Sequence, residues 1–501
     1  MNLSLLLDMA RDGFGERILL GSRDGGITGE DLILRSFGGA ALLRESNASS
    51  LVYLGVNGPA FQVSLFATAR AGIPLVPLNY RLGDEQLSGL LAHHPGALAV
   101  ADPGQLDRVG ALGIDAVTID EWLARTAAAG GEQGEPPDGQ SDAAAIIYTS
   151  GTTAAPKGVV IKHDNLLSYV FASVEFGGAD PSEAALVSVP PYHIAAVANA
   201  VTNLYAGRRC VVLEQFTAEQ WLDVARHERI TNAMVVPTML ARIMSVEGDP
   251  QVPSLRAVAY GGAAMPVPVI ERALHAWPSV DFVNAYGLTE TSSTIAVLGP
   301  DDHRAAIASD DPAVRARLSS AGQVVPAVEL QIRDGDGGVL TDGRPGRIFV
   351  RGDQVSGEYT GSGSVLDAEG FFDTRDLGRV DADGYLFIHG RADDTIIRGG
   401  ENIAPTEIED VLLAHPDVVD AVVVGVPDEE WGHRIEAAVV LATGSATTGE
   451  ALRGHVRRLL RSSKTPDRIL VWDEVPRTET GKLVRREAAA RIARASQPTS
   501  V

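Results

Sequence analysis

The sequence predicts an α/β protein, with a large N-terminal domain of two α/β lobes plus a β-rich subdomain and a small α+β C-terminal domain. Three observations carry that expectation. Short, fully apolar runs of strand length alternate with amphipathic helical text, the pattern of parallel sheets covered by helices on both faces. Glycine, 53 of 501 residues, clusters just after those runs, where strand-to-helix loops form. Beyond residue 320 the text changes to alternating strands joined by Gly/Asp turns, and beyond about residue 393 to helices mixed with strands. A chain of 501 residues also exceeds what a single core usually holds.

The elements follow in order. MNLSLLLDMARDGFGER has an apolar stretch of only a few residues, no basic leader and acids close behind, so it reads as a short helix and not a signal peptide. SLVYLGV (50–56), IPLVPLNY (73–80), ALAVAD (97–102) and AAIIYTSG (144–151) read as buried strands. So do ALVSVPP (185–191), RCVVLE (209–214), NAMVVP (232–237) and LRAVAYGG (255–262). AEQWLDVARHER (218–229) and PVIERALHAW (268–277) are helical patterns between them. The polar Gly/Pro run GGEQGEPPDGQSD (130–142) is expected to separate the first lobe from the second. VELQIRD, GRIFVRG and GYLFIHG form the β-rich part. PTEIEDVLLAH, DAVVVGV, EAAVVLA and GHVRRLL (454–460) form the small domain.

Composition narrows the function. Lys plus Arg total 42 and Asp plus Glu 65, a net charge of −23, which argues against a general nucleic-acid binder. The single cysteine, Cys210, excludes an intrachain disulfide and a thiolate-rich metal site. No apolar run reaches the ~20 residues of a membrane span. With no address label, the cytoplasm is the expected location. Residues 453–501 carry 12 Lys/Arg against 5 Asp/Glu, a local +7. That is either a solvated helix surface or a site for a polyanion such as a nucleotide or coenzyme A.

The chemistry starts at TSGTTAAPKG, Thr149 to Gly158, directly after an apolar strand. Backbone N–H groups with the hydroxyls of Thr149, Ser150, Thr152 and Thr153 can wrap phosphate oxygens around Gly151, and Lys157 can neutralise them. It is not a Walker A loop, because GxxxxGK[ST] is absent. A Ser/Thr/Gly loop alone fits a plain turn equally well. The arrangement with Pro-Lys-Gly resembles the signature loop of the adenylate-forming superfamily: acyl-CoA synthetases, adenylation domains and luciferase. Further blocks similar to that family follow in its order. They are PPYHI (190–194), YGGAAM (260–265), NAYGLTET (284–291), the long segment 371–409 and PRTETGK (476–482). The resemblance spans essentially the whole chain.

What the resemblance implies can be given residue by residue. A large domain, residues 1–392, binds ATP, and a small mobile domain, residues 393–501, hinges near Asp393 and Asp394. Gly261, Gly262 and Ala263 let the backbone approach adenine closely. Tyr286 stacks on the ring, Asn284 bonds the purine edge, and Ala285 and Gly287 lie in the same loop. Thr289 contacts the α-phosphate, and Glu290 holds Mg²⁺, a cation that prefers carboxylate and phosphate oxygens. Asp376 accepts the ribose hydroxyls and Arg391 reaches the ribose or a phosphate. Lys482 bridges the acid's carboxylate and the α-phosphate. His193 lines or gates the acid pocket. After the small domain swings, the face with Arg398, Gly399, Gly400, Glu401 and Asn402 replaces Lys482 and forms a pantetheine tunnel beside Trp431. A solvent-facing turn at Asp393-Asp394 and a core position for Trp431 are the plainer readings of those residues.

The implied activity is an ATP- and Mg²⁺-dependent ligase joining a carboxylic acid to coenzyme A through an acyl-adenylate. A monocarboxylic fatty, aromatic or alicyclic acid is expected, since the pocket text is small and apolar and shows no second cation. PDEEWGHRI (427–435), the basic 453–501 segment with Arg457, Arg458, Arg461 and Lys464, and the absence of a following carrier domain favour coenzyme A. The alternatives are an enzyme that loads a carrier protein and a catalytically idle adenylate binder. Three positions depart from the family text. Ala154 and Arg375 stand where glycine is customary, and Ser463 replaces an aromatic residue.

Overall fold

The computed structural model describes residues 1–129, 141–149, 156–398, 401–428, 431–478 and 481–496. It is a mixed α/β structure with a large N-terminal and a small C-terminal domain. Among the described residues the strands fall into five sheets.

The first large sheet has the order Gly363–Ser364, Glu358–Tyr359, Lys157–Lys162, Ala143–Thr149, Leu75–Pro77, Leu51–Leu54, Leu98–Ala101 and Asp115–Thr118. Its central strands are parallel and buried on both faces, which is why they read as unbroken apolar runs. The second is built on parallel strands Ile18–Leu20, Arg209–Val212, Ala184–Val187, Asn232–Val235, Ala257–Gly261 and Asp281–Leu288. Antiparallel Ser293–Leu298 and Gln323–Val324 extend one edge.

These two sheets share one core. Helix Pro59–Ala71 is buried on almost every side, as a helix clamped between layers must be. It packs on the first sheet, and its Gln62 Nε2 donates to Cys210 Sγ at 3.3 Å in the second. Cys210 is buried, and desolvation pushes its thiol up to about 11.

The expectation for 130–142 needs correction. Residues 130–140 lie outside the described ones, but the run does not divide the lobes. Strands Ala143–Thr149 and Lys157–Lys162, beyond it, belong to the first sheet. Strand Ile18–Leu20, far before it, pairs with the Cys210 strand in the second. Sheet membership follows pairing across long sequence separations, which no local composition reports.

The β-rich part is a five-stranded antiparallel sheet ordered Val339–Leu340, Glu329–Arg333, Gly346–Arg351, Phe372–Val380 and Leu386–Arg391. The small domain has a two-stranded ribbon, Ile396–Arg398 with Glu401–Ile403, and a three-stranded sheet, Val418–Asp428, Gly432–Leu441 and Arg468–Val471. Helices Pro405–Leu413 and Gly449–Leu459 bury Ile408, Leu412, Leu452 and Val456 against one face of that sheet. Helix Arg485–Ser496 buries Ala488 and Ile492 against the other. Thr28, Thr118, Thr217 and Thr448 each accept the N–H three residues on, capping the helices that follow.

Candidate active site

The site candidates gather where the large domain's strand ends meet the small domain. Strand Asp281–Leu288 delivers Asn284, Ala285, Tyr286 and Gly287, and the short 3₁₀ turn Thr289–Thr291 continues it with Thr289 and Glu290. Gly261 pairs beside Ala285, and a Cβ there would stand 2.3 Å from the Ala285 carbonyl oxygen. Gly262 follows at φ +84°, a left-handed turn ending the strand. The two glycines are thus required first by neighbouring backbone. Ala263 lies in the same turn.

Asn284 Nδ2 donates to the Ser320 carbonyl at 2.9 Å, so the amide presents its Oδ1. Tyr286 does more than offer a ring face: its hydroxyl donates to Asp376 Oδ2 at 2.5 Å. Asp376 is 6% exposed and also accepts Arg391 Nη1 at 2.9 Å across the strand pair Phe372–Val380 and Leu386–Arg391. Burial raises the Asp376 pKa against the pull of Arg391, Tyr286 and Lys482. Desolvation and the adjacent carboxylate push the Tyr286 phenol well above its usual value. Arg391 Nη1 also bonds the Thr374 carbonyl at 3.2 Å, while its Nε is buried and unpartnered among the described residues.

Glu290 accepts the Tyr359 hydroxyl at 2.8 Å on Oε1. Tyr359, on the short strand Glu358–Tyr359, also lies under the Lys157 ammonium, whose Nζ is 5.4 Å from the ring centroid. Thr149 pairs directly with Lys157 across the strands that flank the signature loop. Ser150, Gly151, Thr152 and Thr153, with Ala154, lie outside the described residues, as do Gly399 and Gly400. No group of three His, Cys, Asp or Glu side chains arranged to hold a metal occurs among the described residues. Glu290 therefore stands as a single carboxylate, which suits a hard cation that draws its remaining ligands from phosphate and water.

The small domain reaches this site through Lys482. Gly481 N–H donates to the Thr478 carbonyl at 2.8 Å, Lys482 N–H to Thr478 Oγ1 at 3.1 Å, and Arg477 grips both the Gly481 carbonyl and Asp420. Gly481 sits at φ +77° with Thr238 of the large domain so close that a Cβ would be 2.6 Å from its Oγ1. Lys482 is exposed. Desolvation and Arg391 lower its pKa, and Asp376, Asp394 and Glu290 oppose them. Lys482 therefore stands within electrostatic reach of Arg391, Asp376 and Glu290.

Other candidates sit further out. His193 N-caps helix Ile194–Ala206, whose Asn199 donates to Met234 Sδ on the strand leading to Thr238. Trp431 is exposed, which rules out the core reading, and the Arg398 guanidinium lies 5.7 Å from its ring. Arg398 is held by Asp467 at 2.5 and 2.9 Å. Within the basic segment, Lys464 is engaged internally by Glu407 and Arg461 by Glu401, while Arg457 and Arg458 are exposed on helix Gly449–Leu459. Asp393 faces Arg375 at 3.5 Å and Asp394 faces Arg485 at 3.3 Å. Tyr359 and Arg485 are site neighbours that no sequence pattern marks.

A buried carboxylate bonded to a guanidinium, with a lysine from a second domain in electrostatic reach on an α/β scaffold, is suited to binding a nucleotide. The chain belongs to the AMP-binding enzyme family: the family model matches residues 12–360, and that of the AMP-binding enzyme C-terminal domain matches 407–482. It is similar to the fatty acid–[acyl-carrier-protein] ligase ScoC of Streptomyces coeruleorubidus, 34% identical over 88% of this chain and 86% of that one. It is also similar to the indoleacetate–CoA ligase of Aromatoleum aromaticum, 32% identical over 90% of this chain and 89% of that one. Among solved structures, ATP-bound MatB from Rhodopseudomonas palustris superposes with a TM-score of 0.87 at 25% identity, covering 99% of this chain and 100% of that one. The protein is thus an adenylate-forming ligase.

Proposed function

We propose that this ligase joins a monocarboxylic acid to coenzyme A, using ATP and Mg²⁺. In the first step an acid oxygen attacks the α-phosphorus of ATP and pyrophosphate leaves, giving the acyl-adenylate. In the second the coenzyme A sulfur attacks the acyl carbon, the thiol proton is lost to solvent, and AMP leaves. The observation that carries this reading is the docking of the Lys482 loop on the large domain, Gly481 against Thr238, with Lys482 in electrostatic reach of the bonded Tyr286–Asp376–Arg391 set.

In that reading Lys482 neutralises two approaching anions, the acid carboxylate and the α-phosphate. Asp376 accepts the ribose hydroxyls on its remaining lone pairs while keeping its bonds from Tyr286 and Arg391. Asn284 presents Oδ1, an acceptor that matches an exocyclic amino group on the purine. Thr149, Lys157 and Thr289, with the loop Ser150–Thr153, cradle the phosphates. The orphaned Arg391 Nε–H is a donor suited to a ligand oxygen. Mg²⁺ on Glu290 supplies charge neutralisation at the phosphates when bound. His193 and the alanine-rich start of its helix line the acid pocket. The domain boundary is placed between 392 and 393, and the small domain turns there so that Gly399, Gly400 and Trp431 flank the pantetheine arm.

The exposed Trp431, with the Arg398 guanidinium beside its ring, and the exposed Arg457 and Arg458 favour the nucleotide-bearing thiol as acceptor. The similarity to a carrier-protein ligase supports a second reading, in which a carrier's phosphopantetheine is the acceptor. The test is pyrophosphate release over fatty, benzoic, cinnamic, alicyclic and dicarboxylic acids, with and without coenzyme A, and with mass detection of thioesters. A coenzyme A thioester from one acid class supports the first reading. Pyrophosphate release that ends in bound adenylate, with transfer only to a carrier protein, supports the second.

A further inference from the structure

The hinge is anchored unequally on its two sides. Asp394 is held within the small domain by Arg485, which also grips Glu409 through both guanidinium nitrogens and bonds the Val423 carbonyl at 2.9 Å. Those side chains are mostly buried: Arg485 is 15% exposed and Glu409 6%. Asp393, the preceding residue, points the other way. Its Oδ2 lies 3.5 Å from Nη1 of Arg375 in the large domain, and these side chains are 35% and 53% exposed.

Arg375 occupies a conformation that arginine disfavours. Its φ is +59°, left-handed backbone that glycine adopts without strain. Both flanks are tied down. Thr374 Oγ1 donates to the Ile348 carbonyl at 2.8 Å and accepts the Asp376 N–H at 3.1 Å, while Arg375 N–H donates to Asp373 Oδ1 at 2.9 Å. Left-handed backbone at a non-glycine residue, fixed this firmly on both flanks, points to a role for the side chain it carries. Its charge is also felt at Tyr359, the partner of Glu290.

We propose that Arg375 is a positioning residue, an electrostatic latch that holds Asp393 and so favours the docked arrangement in which Lys482 reaches the site. Rotation at the hinge carries Asp394 along with Arg485, because that anchor is buried and multiply bonded. The single, longer and more exposed Arg375–Asp393 pair is the tie that opens. Its exposure keeps it weak: pairs of this kind shift an equilibrium by up to about fivefold, enough to set the balance of two arrangements without freezing either. The latch rests on the two-step reading above for its functional consequence, but its structural consequence is measurable without substrate.

The test attaches fluorophores to cysteines placed at the exposed positions Ala308 and Ala446, in the large and small domains, leaving the buried Cys210 unlabelled. Energy transfer then reports the docked fraction. Arg375→Ala and Arg375→Gly are each expected to lower the docked fraction two- to fivefold, as is raised salt in the wild type. Arg375→Gly also relieves the left-handed strain and raises Tm, so a merely structural role moves Tm and leaves energy transfer unchanged. Arg375→Asp with Asp393→Arg is expected to restore the docked fraction. With substrates, the single variants slow pyrophosphate release two- to fivefold and leave thioester formation from supplied acyl-adenylate unchanged or faster. An unchanged docked fraction in both single variants overturns the latch. Failure of every acid to release pyrophosphate overturns the proposed activity, and the energy-transfer result still decides the latch.

Discussion

The hydroxyl of Tyr286 donates to Asp376 Oδ2 at 2.5 Å, tying the residue proposed to stack on adenine to the residue proposed to hold the ribose. The two lie 90 positions apart in sequence and on different sheets. The carboxylate is thereby fixed on one side by a phenol and on the other by Arg391, so it meets a sugar already oriented.

Tyr286→Phe keeps the ring and removes the donor. A bond to a buried carboxylate contributes about 1.5–3 kcal/mol, so the KM for ATP is expected to rise roughly 10- to 100-fold while kcat changes less. Initial rates of acid-dependent pyrophosphate release against ATP concentration check this. An unchanged KM would free Asp376 from dependence on Tyr286.

Lys482→Ala is expected to cut adenylate formation by about 100-fold or more and to spare thioester formation from supplied acyl-adenylate. The ammonium is the active form and its pKa lies below the usual 10.5, so the alkaline limb of the adenylation rate falls at a pH below that value. The same lowering means the unfolded chain binds more protons than the folded one in that window. The stability contribution of Lys482 therefore rises with pH between its folded pKa and 10.5. Pre-steady-state rates from pH 7 to 10, with thermal melts alongside, test both signs.

Gly481→Ala tests docking without touching the ammonium. The left-handed φ of +77° and the 2.6 Å approach to Thr238 both oppose a Cβ. The adenylation rate is expected to fall about 10-fold or more with little change in the thioester step. Pairing it with Thr238→Ala relieves the clash but not the backbone strain, so partial recovery is expected.

Two buried imidazoles set an acid limit on stability. His94, bonded to the Tyr148 hydroxyl at 2.8 Å, is pushed down to about 4 chiefly by burial. His163, whose Nδ1 accepts the Leu3 N–H at 3.3 Å, is likewise pushed down to about 4 by burial. Both are held below the unfolded value of 6.5, so the unfolded state takes up more protons as pH falls. The stability they allow is full above pH 6.5 and is lost progressively towards pH 4. Each contributes at most on the order of 3 kcal/mol to that slope. His94→Gln and His163→Asn keep an acceptor near the same place and are expected to flatten Tm between pH 6.5 and 4.

Much of the fold and site is legible in the amino-acid sequence alone. Strand Leu51–Leu54 and its parallel neighbours announce themselves because burial on both faces leaves no polar alternation. Tyr286, Asp376 and Arg391 are marked by ordered motifs, and the structure bonds them to one another. Other features depend on pairing that sequence does not display. Ile18–Leu20 joins the second sheet through a partner nearly two hundred residues away. Tyr359 lies on a two-residue strand that carries no periodicity, yet it holds Glu290. In sequence Arg375 is only a missing glycine; its left-handed φ shows that the backbone still demands what glycine gives freely. Lys464 reads as a free cation because the matching Glu407 lies 57 positions away.

The burial of Cys210 has a chemical consequence for the thioester chemistry proposed above. A surface thiolate beside a coenzyme A pool invites mixed disulfides, and beside an activated acyl group it invites self-acylation. With its only sulfhydryl enclosed between two sheets, held by Gln62 and kept protonated by desolvation, the chain offers neither its substrate nor its product a competing nucleophilic sulfur. Incubation with oxidised coenzyme A or an alkylating reagent is expected to leave the native protein's mass unchanged, and unfolding is expected to expose one reactive thiol.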